Sequence, residues 1–291
     1  MEATRNQRTI GRPASIEGIG YWSGHDVRVE FCPADPDTGI VFVRTDLKDR
    51  PRIPATIENR TETPLRTTLQ CGDAGVDMIE HVMASLAGLQ VDNCEVRVDR
   101  QEMPGCDGSS LPMVEALDAA GLVEQDAPRE QRIVRETVRL GDRKSWIEIS
   151  PSASAETILQ CKLDYGRDTA IGRQKFCLAL SPETFRRELA PSRTFLLEHE
   201  AAALRDQGLG QRATFQDLLV FGPDGPIDNR LRFPDECVRH KLLDMVGDLA
   251  LAGCDLIGRF VAYRGGHRLN AEAVRAILAR AETQEVLQRC A

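Results

Sequence analysis

The sequence predicts an α+β protein made of two similar halves. Each half is a mostly antiparallel sheet with two helices, the helices lie sandwiched between the two sheets, and each half carries a small insert. Three observations predict this. Strand pairs and helices are segregated along the chain. One order recurs twice: strand, strand, helix, strand, glycine-rich turn, helix. A polar, proline-containing stretch, Glu124-Gln-Asp-Ala-Pro-Arg-Glu-Gln131, separates the two occurrences. The expected domains are therefore 1–127, with a small side element at about 45–70, and 128–291.

The elements follow in order. Val27-Arg-Val-Glu-Phe-Cys32 alternates, Pro33 to Gly39 is a turn, and Ile40-Val-Phe-Val-Arg44 is a second strand. Residues 45–70 are polar and form a side element. Helical patterning begins near Asp77 and ends at Gly88. Cys94-Glu-Val-Arg-Val-Asp99 alternates again, Pro104-Gly-Cys-Asp-Gly-Ser-Ser110 is a tight turn, and a helix spans about 111–120 before Gly121. In the second half, Trp146–Pro151 and Ile158–Tyr165 are strands around a polar turn. A long apolar helix covers 234–252. Pro234 suits its first position, Asp235 and Glu236 complement its dipole, and Gly253 suits a left-handed cap. Gly258–Tyr263 is a strand, Arg264-Gly-Gly-His-Arg268 a tight turn, and the last helix runs from about Asn270 to Arg289. Residues 164–176 and 205–230 fit neither repeat and have the polar, glycine-rich character of segments that shape binding sites.

Bulk properties narrow the function. The 291 residues are 42% apolar and 28% charged, as in a globular protein without membrane spans. A net charge of −8 disfavours general binding to nucleic acid or anionic membranes. Nine scattered cysteines with no Cys-x-x-Cys pair, and no export signal, point to reduced thiols in the cytoplasm.

The chemistry centres on a few residues. His240 and Asp244 lie four apart, so they project from one helix face. In so apolar a helix they need partners: each other, the backbone, or a divalent metal. Glu80-His81 opens the first helix. Asp77-x-x-Glu80 reads as a capping box, or Glu80 reads as the base that takes a proton from water beside a metal-bound His81. His267 follows Gly265-Gly266, either as a surface histidine or as one close to a ligand. Two imidazoles and a carboxylate from His81, His240 and Asp244 would leave an open position, the pattern of catalytic zinc.

Several longer motifs occur in one order: Ile79-Glu-His-Val-Met-Ala-Ser-Leu-Ala-Gly88, Asp92-Asn93, Pro104–Ser109, Gly172-Arg-Gln-Lys-Phe176, Ser192-Arg-Thr-Phe195, Leu231-Arg-Phe233, Val238–Asp248 and Gly265-Gly-His-Arg-Leu-Asn270. Through these the sequence resembles the zinc-dependent UDP-3-O-acyl-N-acetylglucosamine deacetylases of lipid A biosynthesis over nearly its whole length. The resemblance implies zinc, or ferrous iron in the cell, on His81, His240 and Asp244. It implies Glu80 as general base and a protonated His267 oriented by Asp248. Thr194 falls near the scissile carbonyl, Phe195 against the sugar, Lys241 at the polar head, Tyr165 at uracil and Arg264 near the diphosphate. The fold it implies is the one read above, with a first small β insert at about 45–70 and a second, βαβ insert at about 160–180 that forms a passage for the acyl chain. The partner it implies is a small-molecule UDP-acyl-glucosamine, bound by a monomer.

The sequence also departs from the pattern. Where that family has Gly-x-Gly-Leu/Ile-His-Ser/Thr-Gly, this chain reads Gly18-Ile-Gly-Tyr-Trp-Ser-Gly24, with Trp22 at the histidine position. Arg212-Ala213 stand where a Gly-Gly pair is expected. The alternative to zinc-dependent deacetylation is an altered paralogue that binds or deacetylates a different nucleotide-sugar or lipid. A kinase-like phosphate cradle at 104–110 is disfavoured, because no Lys-Ser/Thr follows it.

Overall fold

The computed structural model describes residues 5–154 and 156–289, with side chains as far as residue 280. Residues 1–4 and 290–291, the outermost of the expected domains, lie outside the described residues. The fold is mixed α+β in two similar halves. The first sheet runs in the order Ala14–Ile19, Asp26–Pro33, Cys94–Val98, Ile40–Arg44, Arg52–Pro54. The main path of the second runs Val138–Gly141, Trp146–Ser150, Asp255–Tyr263, Thr157–Asp164, Arg173–Ala179. The topology is the same in both. Along these paths every neighbouring pair is antiparallel except one parallel pair at the equivalent position of each, Ile40–Arg44 with Cys94–Val98 and Thr157–Asp164 with Asp255–Tyr263; off the second path, Gln131–Ile133 also pairs parallel with Asp255–Tyr263.

Alternation explains the strands. In Asp26–Pro33, Val27, Val29 and Phe31 are buried while Arg28 is exposed. Trp146–Ser150 buries Ile147 and Ile149 in the same way.

The helices are α1 (Glu80–Gly88), α2 (Leu111–Ala120), α3 (Pro182–Thr184, continued by a π-turn at Phe185–Leu189), α4 (Glu198–Asp206), α5 (Glu236–Leu249) and α6 (His267–Arg289). α1 and α5 are buried on nearly every face. They pack on each other, and α5 also packs on α6 and on the strands Thr157–Asp164 and Arg173–Ala179. The crossing of α1 and α5 is very close. A Cβ at Gly247 would lie 2.0 Å from the Glu80 carbonyl oxygen. Gly253 closes the end of α5 in the left-handed region at φ 68°, after a 3-10 turn.

Four expectations need correction. α1 starts at Glu80, with no capping box from Asp77. Asp77 ends a strand, and its carboxylate accepts from Thr68 and Gln101. Met78 then turns the chain with φ 58°, costly for a side chain that is not glycine. α6 begins at His267, three residues earlier than expected, because Gly265-Gly266 already complete the turn. Residues 160–180 are not a βαβ insert: Thr157–Asp164 and Arg173–Ala179 form an antiparallel hairpin inside the second sheet. The βαβ unit is Phe195–Leu197, α4 and Leu219–Gly222, with its two strands parallel. The small sheet of the first half lies at 60–77, since Arg52–Pro54 belongs to the main sheet.

Candidate active site

The crossing of α1 and α5 brings three buried side chains together. The candidate ligand atoms of His81, His240 and Asp244 lie within 4.8 Å of one another. His240 Nε2 is 3.3 Å and His81 Nε2 3.6 Å from Asp244 Oδ1. The two imidazoles meet edge to face, with centroids 5.0 Å apart. On its far side His240 Nδ1 lies 3.1 Å from the Ser192 carbonyl. A carbonyl only accepts, so Nδ1 carries the hydrogen and the Nε2 lone pair faces Asp244. Burial pushes His240 down to about 3, so it is neutral near pH 7. Burial alone would push Asp244 up. The Lys241 ammonium, 2.9 Å from Oδ2, opposes it, and the carboxylate lies well below its ordinary range. Asp244 Oδ1 is buried and has no hydrogen-bond partner. A carboxylate oxygen facing the His240 lone pair with no hydrogen-bond donor is costly unless a cation shares it. The donor set therefore fits a divalent metal.

Glu80 is the first residue of α1 and buried. Its Oε2 accepts from the Thr67 amide at 2.9 Å. Burial raises its pKa, opposed by His267 and His81. His267 opens α6, where the helix dipole disfavours a positive charge. Burial disfavours it too. Asp248, 2.9 Å from Nδ1, outweighs both and lifts the imidazole to about 9. Asp248 is itself held: Oδ1 accepts from the Thr67 hydroxyl at 2.5 Å and Oδ2 from Asn270 at 2.8 Å.

Thr194 is placed by a buried acid. Glu236 accepts from the Arg193 amide at 3.0 Å, from its guanidinium at 2.8 Å and from the Arg232 amide at 2.6 Å. This fixes the loop that offers the Ser192 carbonyl to His240 and leads into Thr194. Thr194 N–H donates to Gly108 and its carbonyl accepts from Leu219, both within 3.0 Å. The turn at 104–110 is thus engaged by the chain itself, and its Asp107 faces Arg232 at 2.7 Å. That leaves little for a phosphate cradle to do there.

One cavity is lined by Glu80, His81, Thr194, His240, Asp244 and His267. Asp248 stands buried behind His267. Phe195 meets Tyr165 edge to face at 5.8 Å, and Lys241 Nζ lies 5.5 Å above the Phe195 ring. Tyr165, Arg264 and Lys241 line the adjoining cavity. The expected site residues are therefore gathered in one region. Lys241 differs in one respect: its ammonium is committed to Asp244. Sequence reasoning missed Thr67, Asn270, Glu236 and Gly247. Glu236 and Gly247 stand in the long helix as an acid and a glycine with no evident partner. Thr67 sits in a polar side element and gives no signal.

Comparison with known proteins agrees with this geometry. Residues 7–279 match the family described as UDP-3-O-acyl N-acetylglycosamine deacetylase. Proteins of Brucella ovis, Brucella canis and Brucella melitensis, each named UDP-3-O-acyl-N-acetylglucosamine deacetylase, are 42% identical over 284 residues, covering 97% of this chain and 98% of each relative. With the match spanning both sheets and every residue of the candidate centre, the chain belongs to the UDP-3-O-acyl N-acetylglycosamine deacetylase family.

Proposed function

We propose that the protein hydrolyses the N-acetyl group of a UDP-3-O-acyl-N-acetylglucosamine and releases acetate, the committed step of lipid A biosynthesis. The observation that carries this is the meeting of an acid–base pair, Glu80 and His267, with the three-ligand set in one cavity. The ligands His81, His240 and Asp244 would hold zinc, with ferrous iron as the other candidate. When bound, the metal supplies Lewis acidity beside the amide carbonyl.

Glu80, buried and raised, takes a proton from the attacking water. A C–O bond forms at the carbonyl carbon and the π pair moves onto oxygen. The Thr194 hydroxyl donates to that oxygen. The C–N bond then breaks as His267 gives its proton to the leaving amine. Asp248 keeps His267 charged until that moment, and Thr67 fixes Glu80 and Asp248 relative to each other. Phe195 packs on the sugar, Tyr165 and Arg264 take uracil and diphosphate, and Lys241 serves the polar head while also holding Asp244. The apolar part of the cavity, toward α4, takes the acyl chain. The expected halves, 1–127 and 128–291, supply Glu80-His81 and His240, Asp244 and His267 respectively. We place the reaction in the cytoplasm and expect a monomer. Among the described residues, no helix is long and apolar enough to cross a membrane.

The test is metal analysis of the purified protein together with acetate release from such a substrate, with and without a chelator. One metal per chain and chelator-sensitive release are expected. Release that ignores the chelator, or no release, contradicts the proposal.

A further inference from the structure

The far wall of the cavity is built from two segments distant in sequence. Trp22 comes from loop 20–26 of the first half. Gly210, Ala213 and Thr214 come from a strap, residues 207–217, that follows α4 in the second half. Two ties join them on either side of Trp22. The Tyr21 hydroxyl donates to the Asp217 carbonyl. The Arg212 guanidinium donates to the Gly24 carbonyl at 2.7 Å and to Asp26 at 2.9 Å.

The two sides of this wall are held differently. The loop is anchored from below, where buried Glu102 accepts from the Trp22 amide at 2.7 Å and the Ser23 amide at 2.8 Å. Tyr21 is seated on Gly105, where a Cβ would lie 2.1 Å from its ring. The strap is held within its own half: Arg205 donates to the Ala213 carbonyl at 3.1 Å, Gln216 to the Asp228 carbonyl at 2.8 Å and Asn229 to the Phe215 carbonyl at 2.5 Å. It enters through two left-handed glycines, Gly208 at φ 81° and Gly210 at φ 65°, and Arg212 and the Asp217 carbonyl hold it to the loop. The cavity this wall borders is about 120 Å³ and shares Leu65, Leu196 and Leu204 with a larger adjoining one of about 600 Å³.

We propose that Tyr21 and Arg212 tie the strap across Trp22, and that this tied wall sets the upper length of acyl chain the enzyme accepts. Tyr21 and Arg212 are positioning residues. They act through the wall and touch no reacting atom. This inference rests on the deacetylase reading above.

The test uses the full-length, metal-loaded enzyme and three substrates whose 3-O-acyl chains are short, intermediate and long. In the double variant Tyr21→Phe, Arg212→Gly, kcat and KM for the shortest chain should stay at their parent values. KM for the longest chain should fall about tenfold, the size carried by one or two hydrogen bonds, with kcat unchanged. Arg212→Lys, which keeps a charge for Asp26, should restore most of the parent profile when Tyr21 is intact. An unchanged length profile overturns the proposal. So does an equal loss on all three substrates with a lowered melting temperature, which marks the ties as merely structural. A parent enzyme that deacetylates none of the three overturns the deacetylase reading and this inference together. Turnover with a flat response to the ties overturns this inference alone.

Discussion

Glu80 and His267 line one cavity, and their surroundings prepare them for opposite tasks. Burial raises the Glu80 carboxyl, so it can take a proton, while Asp248 lifts His267 to about 9, so it can give one. Replacing Glu80 or His267 by Ala should lower kcat by about 10²–10⁴-fold, the usual worth of a positioned acid or base, and the His267 variant should also melt lower, because it leaves buried Asp248 without its ion partner. Steady-state kinetics with both variants checks this, and normal turnover in either removes its assigned role. The pH profile carries a sign. His267 is raised above its ordinary 6.5, so its ion pair with Asp248 stabilises the fold fully below about 6.5, and that contribution is lost as pH rises through about 9. Activity that needs the charged form falls over the same alkaline window. In Asp248→Asn the basic limb should move down from about 9, because burial stays while the largest opposing cause is removed. A basic limb that stays in place would falsify the pairing. At this scale the sequence was informative where chemistry clusters in short motifs, as in Glu80-His81 and His240-x-x-x-Asp244. It was silent on Thr67, whose amide and hydroxyl join Glu80 to Asp248 only after the small sheet folds over α1.

Among the elements, the α1–α5 crossing decides whether the centre forms. Gly247 lets the backbones touch at the residue that bears the base. Gly247→Ala must push α1 away or bend it. It should destabilise by about 1–3 kcal/mol, as overpacking does, and lower metal affinity, since His81 moves with α1. Denaturant melts and metal titration of the variant would check this; parent values for both mean the helices are not held at that point. The strands were legible because apolar and polar residues alternate in Asp26–Pro33 and Trp146–Ser150. The βαβ unit was misplaced because the hairpin at 157–179 and the strands flanking α4 carry similar apolar runs. Which run joins the main sheet is set by its pairing with Asp255–Tyr263, a contact far along the chain.

On the scale of the whole molecule, the centre spans both halves, so its occupancy is coupled to folding. Removing the metal leaves Asp244 Oδ1 buried without a partner. A cation held a thousandfold above its dissociation constant adds about 4 kcal/mol, so chelation should lower the melting temperature by several degrees. A melting curve indifferent to chelator and to added zinc would show that no cation shares that oxygen. Elsewhere the halves are joined by Arg5, which donates to Asp92 of the first half and Asp255 of the second at 2.6–2.8 Å. The repeated element order was readable from pattern alone, since it needs only strand and helix signals. The clamp was not, because nothing near Arg5 in sequence points to residues 92 and 255.

The same strand order occurring twice, with the parallel pair at the same place, is the pattern that two copies of one unit joined end to end would leave. In a symmetric pair of identical chains, each subunit would carry every residue of the centre once, and the two-fold axis would generate two equivalent centres. Here Glu80 and His81 stand on a helix of one half, and His240 and Asp244 on the corresponding helix of the other. Each half carries what the other lacks, so one chain holds a single asymmetric centre.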